Sequence, residues 1–397
     1  LVNTYLGGDA SIGTHTSPEF TIQRSFISFL VGGGKDVEKT ALHLVVDGTV
    51  VRRATGPNDR PGGSEALEVG YWDVSDFLGR QASIRIIDAA TGGWGHVNID
   101  QIVQTGRRPP TLVAASREIP VSKRYLTIPI KNGAPKRSVT VVVDGRPAVR
   151  NTIELADGEP DWWAVMEAGD WIGKTVRLEV DKLPDDSRAL AAIGQADALE
   201  GAVAGGGELY REPLRGQFHF SPRRGWNNDP NGCVYYKGEY HLFFQHNPYG
   251  WAWGNMHWGH AVSRDLVHWE ELGDVLAPDE FGPMFSGSAV VDRDNSSGFG
   301  TAADPPLLLL YTAAGNPTVQ CAASSTDGRT VTKYAANPIL GQITPGNRDP
   351  KVFWHGATRR WVMVLYVERP EQQRTIEFFT SPNLRDWKPA SVTEGGK

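Results

Sequence analysis

Short runs of β-branched and aromatic residues, closed by turn formers, recur along the chain. Ala41-Leu42-His43-Leu44-Val45-Val46, Ser138-Val139-Thr140-Val141-Val142-Val143 and Tyr240-His241-Leu242-Phe243-Phe244 each have the length and composition of a β-strand. Asp47-Gly48 and Asp144-Gly145 follow the first two and predict hairpin turns. Helical periodicity over ten or more residues is nearly absent, the best candidate being Ser187-Arg188-Ala189-Leu190-Ala191-Ala192-Ile193. The pattern predicts an all-β chain. Val45-Val46-Asp47-Gly48, followed by Leu78-Gly79-Arg80, is echoed by Val142-Val143-Asp144-Gly145, followed by Ile172-Gly173-Lys174, at offsets of about 97 and 94 residues. That echo suggests two successive β-sandwich domains. The Pro109-Pro110 pair interrupts the strands between them, and Gly201-Ala202-Val203-Ala204-Gly205-Gly206-Gly207 has the small residues of a linker. The expected domains are residues 1–108, 109–205 and 206–397.

Composition sharpens this picture. A chain of 397 residues is too long for one ordinary core, which agrees with several domains. With 46 acidic against 40 basic side chains and a net charge of -6, no basic surface stands out for a phosphate backbone, so nucleic acid is not an expected partner. The longest apolar runs, such as Pro306-Leu307-Leu308-Leu309-Leu310-Tyr311, stop far short of the roughly 20 residues of a membrane-spanning helix. Cys233 and Cys321 are too few for a disulfide framework or a cysteine-built zinc site. Leu1-Val2-Asn3-Thr4-Tyr5 lacks a basic segment followed by an apolar one, so any leader is expected to have been removed or left out. The 13 Trp are unusually many, and most fall at or beyond Trp226. Indole faces fill β-rich cores and also stack on sugar rings.

Polar and aromatic residues are densest between 215 and 260. Asn228-Asp229-Pro230-Asn231-Gly232 is first of all a turn sequence. Its neighbours change its meaning: Trp226, Gln245-His246-Asn247 and Trp251-Ala252-Trp253-Gly254-Asn255-Met256-His257-Trp258-Gly259-His260 surround a carboxylate with aromatic faces and amide donors suited to sugar hydroxyls. His257 and His260, three apart on a strand, point to opposite faces and are expected to be hydrogen-bonded structural residues, not metal ligands. Gly32-Gly33-Gly34-Lys35 lacks the spaced glycine and the Ser or Thr of a phosphate loop.

Four ordered motifs are recognisable together. They are Trp226-Asn227-Asn228-Asp229-Pro230-Asn231-Gly232 with Phe243-Phe244-Gln245-His246-Asn247-Pro248, then Trp253-Gly254-Asn255-Met256-His257-Trp258-Gly259-His260-Ala261, then Phe285-Ser286-Gly287-Ser288, and last Arg348-Asp349-Pro350-Lys351-Val352. Over about residues 212–397 the chain resembles glycoside hydrolase family 32, the invertases, inulinases and levanases that act on β-fructofuranosides. The resemblance implies the first part of a five-bladed β-propeller preceded by two β-sandwich domains, and no metal or organic cofactor. It implies that Asp229 is the nucleophile and Asp349 the transition-state stabiliser, with Arg348 holding charge beside it. Trp226, Asn228, Gln245, Trp253, Phe285 and Ser286 would line the subsite for a terminal fructose.

Such chemistry is physically reasonable, because a retaining glycosidase needs an ionised carboxylate to attack and a protonated one to serve the leaving oxygen. The sequence departs from the family in one respect that matters: its acid/base Glu stands in a Glu-Cys-Pro motif, and no Glu-Cys pair follows Asp349 here. Glu368, Glu371, Glu377 and Glu394 all lack that setting. Five blades would also need more residues than follow the linker, so the rest is expected from a longer chain or from a second polypeptide. Asn227 stands where many members have Met. Substrates are expected to be fructans (levan or inulin) or sucrose, in an extracytoplasmic setting, secreted or periplasmic. A fructosyltransferase and a non-catalytic fructan-binding protein are the alternatives. Tyr71-Trp72, Gly92-Gly93-Trp94-Gly95-His96 and Asp161-Trp162-Trp163 before residue 212 would be sugar platforms or core.

Overall fold

The computed structural model describes residues 2–198, 209–370 and 374–394. The linker expected at 201–207, the third domain's expected start at 206 and Glu371 lie outside the described residues. Nearly all regular structure is β, and the one α-helix among the described residues, Ala189–Ala192, is a single turn inside the segment with helical periodicity. The chain forms two compact units, Leu1–Val113 with Leu183–Asp186, and Ala114–Lys182 with Ser187–Lys397.

In the first unit, strands Val2–Asn3, Val97–Thr105, Phe26–Gly33 and Glu68–Asp73 form one antiparallel sheet. Gly13–Thr16, Gln81–Asp88, Thr40–Val46 and Thr49–Thr55 form the other, with Phe20–Thr21 added at Gln81–Asp88. Alternate residues of both sheets, among them Ile27, Phe29, Trp72, Leu42, Leu44, Ile84 and Ile86, make a common core, as a two-layer sandwich requires. Trp72 is therefore core, not platform.

Within the second unit, Leu112–Pro120, Thr175–Pro184, Arg137–Val143 and Arg146–Ile153 make a four-stranded sheet, beside a three-stranded one of Trp162–Glu167, Tyr125–Ile130 and Gly194–Ala196. The Val-Asp-Gly echo has a structural counterpart here. Asp47 and Asp144 take φ of 47° and 50° in hairpin turns, and a 3₁₀ turn follows in each case, at Ser75–Phe77 and Gly169–Trp171. Each turn ends in a left-handed glycine, Gly79 or Gly173, whose N–H donates to the carbonyl of Ile22 or Val121. Each hairpin Asp also pairs with the basic residue after that glycine, Asp47 with Arg80 and Asp144 with Lys174.

The remaining strands build three four-stranded antiparallel sheets, each a meander in sequence order. The first holds β1 (Trp226–Tyr236), β2 (Glu239–Asn247), β3 (His257–Ser263) and β4 (Trp269–Leu276). The second holds β5 (Met284–Val291), β6 (Leu307–Ala313), β7 (Val319–Ser325) and β8 (Thr332–Lys333). The third holds β9 (Arg348–His355), β10 (Arg360–Glu368), β11 (Arg374–Ser381) and β12 (Lys388–Glu394). These are the proportions of successive propeller blades. Strands β1, β5 and β9 lie side by side at the inner edge. Gly232 permits the first approach, because a Cβ there would stand 2.6 Å from the Cβ of Ala289. Ser288 fastens the second: its Oγ donates to the Pro350 carbonyl and accepts from the Val352 N–H, both at 2.9 Å.

The Leu307-Leu308-Leu309-Leu310 run is fully buried because the second sheet has neighbours on both faces. Leu307 and Leu309 pack with Phe243 and Trp258 of the first sheet, whereas Leu308 and Leu310 pack with Met363 and Leu365 of the third. Truncating either pair opens a cavity between sheets. Leu309→Ala is expected to destabilise the protein by about 2–5 kcal/mol, measured as a lower urea midpoint; a loss below about 1 kcal/mol would contradict burial on that face.

Candidate active site

The chemistry-bearing residues stand on the three inner strands, each where its pairing is interrupted. Register shifts fall between Asn227 and Gly232 on β1, between Met284 and Gly287 on β5, and between Arg348 and Lys351 on β9. A bulge inserts residues that the neighbouring strand does not match and re-aims their side chains. Here the bulged residues are Asn228-Asp229, Phe285-Ser286 and Asp349-Pro350. Because β1, β5 and β9 are adjacent, the three bulges bring Asp229, Ser286 and Asp349 to one place.

Ser286 Oγ donates to Asp229 Oδ2 at 2.8 Å. Behind it stands buried Asn231, which, with its amide turned to suit its neighbours, donates to Ser286 Oγ at 3.1 Å and accepts from Gln245 Nε2 at 2.9 Å and Trp258 Nε1 at 3.0 Å. Gln245 is itself buried and donates to the Met284 carbonyl at 2.8 Å, so it reaches the site through Asn231. Trp226 Nε1 donates to Asn228 Oδ1 at 3.0 Å. Trp253 is 57% exposed and meets Phe285 edge-on, 5.9 Å between ring centroids, so these two form an aromatic rim.

Asp349 occupies the left-handed region at φ 63°, which Asp tolerates better than most side chains. Its N–H donates to Thr312 Oγ1 at 3.1 Å, and that hydroxyl donates to Gln320 Oε1 at 2.7 Å. Arg348 Nε lies 3.7 Å from Asp349 Oδ2, its Nη1 3.5 Å from Glu368 Oε2, and its guanidinium 4.4 Å above the Tyr366 ring. Partial desolvation of a side chain that remains half exposed pushes the Asp349 carboxyl above the usual carboxylate range; Arg348 pulls it down, and the negative charge of Asp229 raises it. The two carboxylates thus share one electrostatic environment with a guanidinium at its edge. Among the described residues, no three His, Cys, Asp or Glu side chains converge as a metal ion would require.

One charged pair links β2 to β4 and went unread in the sequence. His246 Nδ1 is 2.6 Å from Asp274 Oδ1, and its Nε2 donates to the Arg224 carbonyl at 3.0 Å, pinning the chain as it enters β1. Burial lowers the His246 pKa, but the charge and hydrogen bond of Asp274 outweigh this and carry it up to about 9. His257 bonds the Asn255 carbonyl, while His260 lies 3.0 Å from His241 and is pulled down to about 3 by burial. Of these three histidines, His246 is the one hydrogen-bonded to a carboxylate. Thr312, Gln320, Asn231 and Asp274 were also missed as site residues. Asn231 could have been found from its place inside the Asn-Asp-Pro-Asn-Gly motif; the others carry no local signal.

A group whose folded pKa lies above its unfolded value of 6.5 stabilises fully below that pH and loses the contribution as pH rises through about 9. Asp274→Asn, which leaves the imidazolium unpaired, is expected to cost about 3–5 kcal/mol near neutral pH. It should also flatten the fall in urea stability between pH 6.5 and 9. Equal pH dependence in variant and wild type would show that the pair is not charged.

The same part of the chain is similar to known proteins. The glycosyl hydrolases family 32 N-terminal domain matches residues 219–397. A levanase from Bacillus subtilis (strain 168) is 51% identical over 195 residues, 48% of this chain and 28% of the levanase. An extracellular exo-inulinase from Aspergillus awamori is 44% identical over 210 residues, 46% of this chain and 38% of the inulinase. The crystal structure of the Aspergillus awamori exo-inulinase aligns at 42% identity with a TM-score of 0.42, covering 46% of this chain and 40% of that one. The chain thus spans well under half the length of the relatives it matches. The half of the chain that carries the two carboxylates, residues 219–397, is thus similar to the N-terminal domain of glycosyl hydrolases family 32.

Proposed function

We propose that the protein containing this chain is a retaining β-fructosidase that releases fructose from the terminal β-D-fructofuranosyl units of fructans or sucrose. The observation that carries this reading is the convergence of Asp229 and Asp349 from β1 and β9, the two bulged strands on either side of β5, one held by Ser286 and the other flanked by Arg348. Relatives named levanase, exo-inulinase, invertase and fructan beta-fructosidase support the substrate class. In this reading Asp229 attacks the anomeric carbon, with Ser286 holding the carboxylate on one oxygen and leaving the other free. Asp349 hydrogen-bonds the sugar hydroxyls and faces the positive charge that develops on the ring, while Arg348 keeps it ionised. Trp226, Trp253 and Phe285 shield the reacting centre from water, Asn228 offers its amide, and Gln245 supports the site through Asn231. Protonation of the leaving oxygen requires a second carboxyl group in its protonated form. The β-regions expected at 1–108 and 109–205 are read as accessory domains, and the resemblance to an extracellular inulinase favours a secreted protein.

Product analysis of the full-length protein on levan, inulin and sucrose tests the reaction. Asp229→Asn is expected to lower fructose release by about three orders of magnitude or more, and the first anomer released by wild type should be β. Full activity in Asp229→Asn, or an α first product, refutes the nucleophile assignment. Removing the guanidinium makes a second test: Arg348→Ala takes away what lowers the Asp349 pKa, so the acidic limb of kcat/KM should move to higher pH. An unmoved limb would mean that Asp349 ionisation does not govern turnover.

A further inference from the structure

We propose that the β-sandwich of residues 112–196 positions the aromatic rim of the site, through a reciprocal pair of hydrogen bonds between the Thr152 backbone and the Asn255 side chain. Strand Arg146–Ile153 lies at the edge of its sheet, where backbone groups have no further strand to pair with. Asn255 fills that role. Its Oδ1 accepts from the Thr152 N–H at 2.8 Å, and its Nδ2 donates to the Thr152 carbonyl at 2.8 Å. One side-chain amide therefore satisfies both backbone groups of Thr152, as a neighbouring strand would.

The same Nδ2 donates to Asn247 Oδ1 at 3.1 Å. Asn247 is buried and organises the connection between β2 and β3 from inside, donating to the Ala252 carbonyl at 2.8 Å and accepting from the Tyr249 N–H at 3.1 Å. The connection is thus strung on two amides, of which Asn255 alone reaches the sandwich. It carries Trp251 and Trp253, exposed by 58% and 57%, and Trp253 is the indole that meets Phe285. Asn255 takes φ 44°, a conformation that Asn and Gly accept and most residues resist. A second contact comes from the same sandwich. The Arg224 guanidinium lies 6.0 Å from the ring of Trp162, which is fixed by its Nε1 donating to Asn132 Oδ1 at 2.9 Å. Arg224 also supplies the carbonyl that accepts from His246. The sandwich therefore touches the catalytic sheets at the aromatic loop and at the entry to β1.

The positioned residues are rim aromatics, which grip sugar without taking part in bond making. A loosened loop should therefore weaken the hold on substrate and leave the chemical step alone; this part rests on the proposed β-fructosidase activity. Asn255→Gly keeps the left-handed backbone accessible and removes all three side-chain hydrogen bonds. In the full-length protein, hydrogen exchange of residues 248–256 is expected to speed up about tenfold, with β2 and β3 protected as in wild type. KM for a short oligofructoside should rise about five- to tenfold with kcat within twofold. Asn255→Asp, which can still accept from the Thr152 N–H, should fall between the two. Thr152→Pro deletes that donor from an edge strand that tolerates proline, and should reproduce the effect if the glycine variant does not fold. Unchanged exchange in the loop overturns the proposal, as does faster exchange with KM unmoved, or a fall in kcat at constant KM. Should wild type release no fructose, the functional reading fails separately, and the exchange measurement alone decides whether Thr152 holds the loop.

Discussion

The lateral packing of β1, β5 and β9 is the constraint on which the site depends. Three strands from three separate sheets must approach within backbone contact although no ladder of hydrogen bonds joins them. Gly232 removes the side chain that would keep β1 from β5, and Ser288 spends its one hydroxyl on both a donor and an acceptor bond to β9. With the strands so fixed, the bulges at their ends have only one common place to deliver their side chains. The carboxylates therefore meet through sheet geometry, not through proximity in sequence.

That arrangement carries an electrostatic cost, since two carboxylates near each other in a cleft resist joint ionisation. Ser286 and Asn231 offset it on one side with neutral donors; Arg348 does so on the other with a charge, itself restrained by Glu368 and the Tyr366 face. The two supports differ in kind. Donors orient Asp229 without altering the net charge of the cleft, whereas the guanidinium sets how readily Asp349 gives up its proton.

Much of this was legible in the sequence where the signal is local. The runs at 41–46, 138–143 and 240–244 lie within strands Thr40–Val46, Arg137–Val143 and Glu239–Asn247, and the two Asp-Gly turns are hairpins. Asp229 and Ser286 could be paired because each sits in a motif that resembles a known family. What could not be read are the partners that lack a motif. Thr312 meets Asp349 across 37 residues and Asp274 meets His246 across 28, and nothing around Thr312 or Asp274 distinguishes it from an ordinary strand position. Gln245 shows the reverse limit: its residue type suits a sugar wall, yet period-2 alternation on β2 turns it inward to Asn231. The echo between the two N-terminal β-regions was readable as spacing, while the shared 3₁₀ turn and left-handed glycine needed coordinates.

The Leu307–Leu310 run has a consequence for the growing polypeptide. A strand hidden on both faces has no solvent-compatible side, so it stays sticky until residues as late as Met363 and Leu365 have been made and folded against it. During that interval it has the apolar, uncharged, β-prone composition that recruits other chains. Asp304-Pro305-Pro306 stands immediately before it, a charge and two residues without an N–H, which is how an unavoidable hydrophobic strand is kept from propagating pairing in the wrong partner. The second sheet thus becomes safe only together with the third, although its own strands are synthesised earlier.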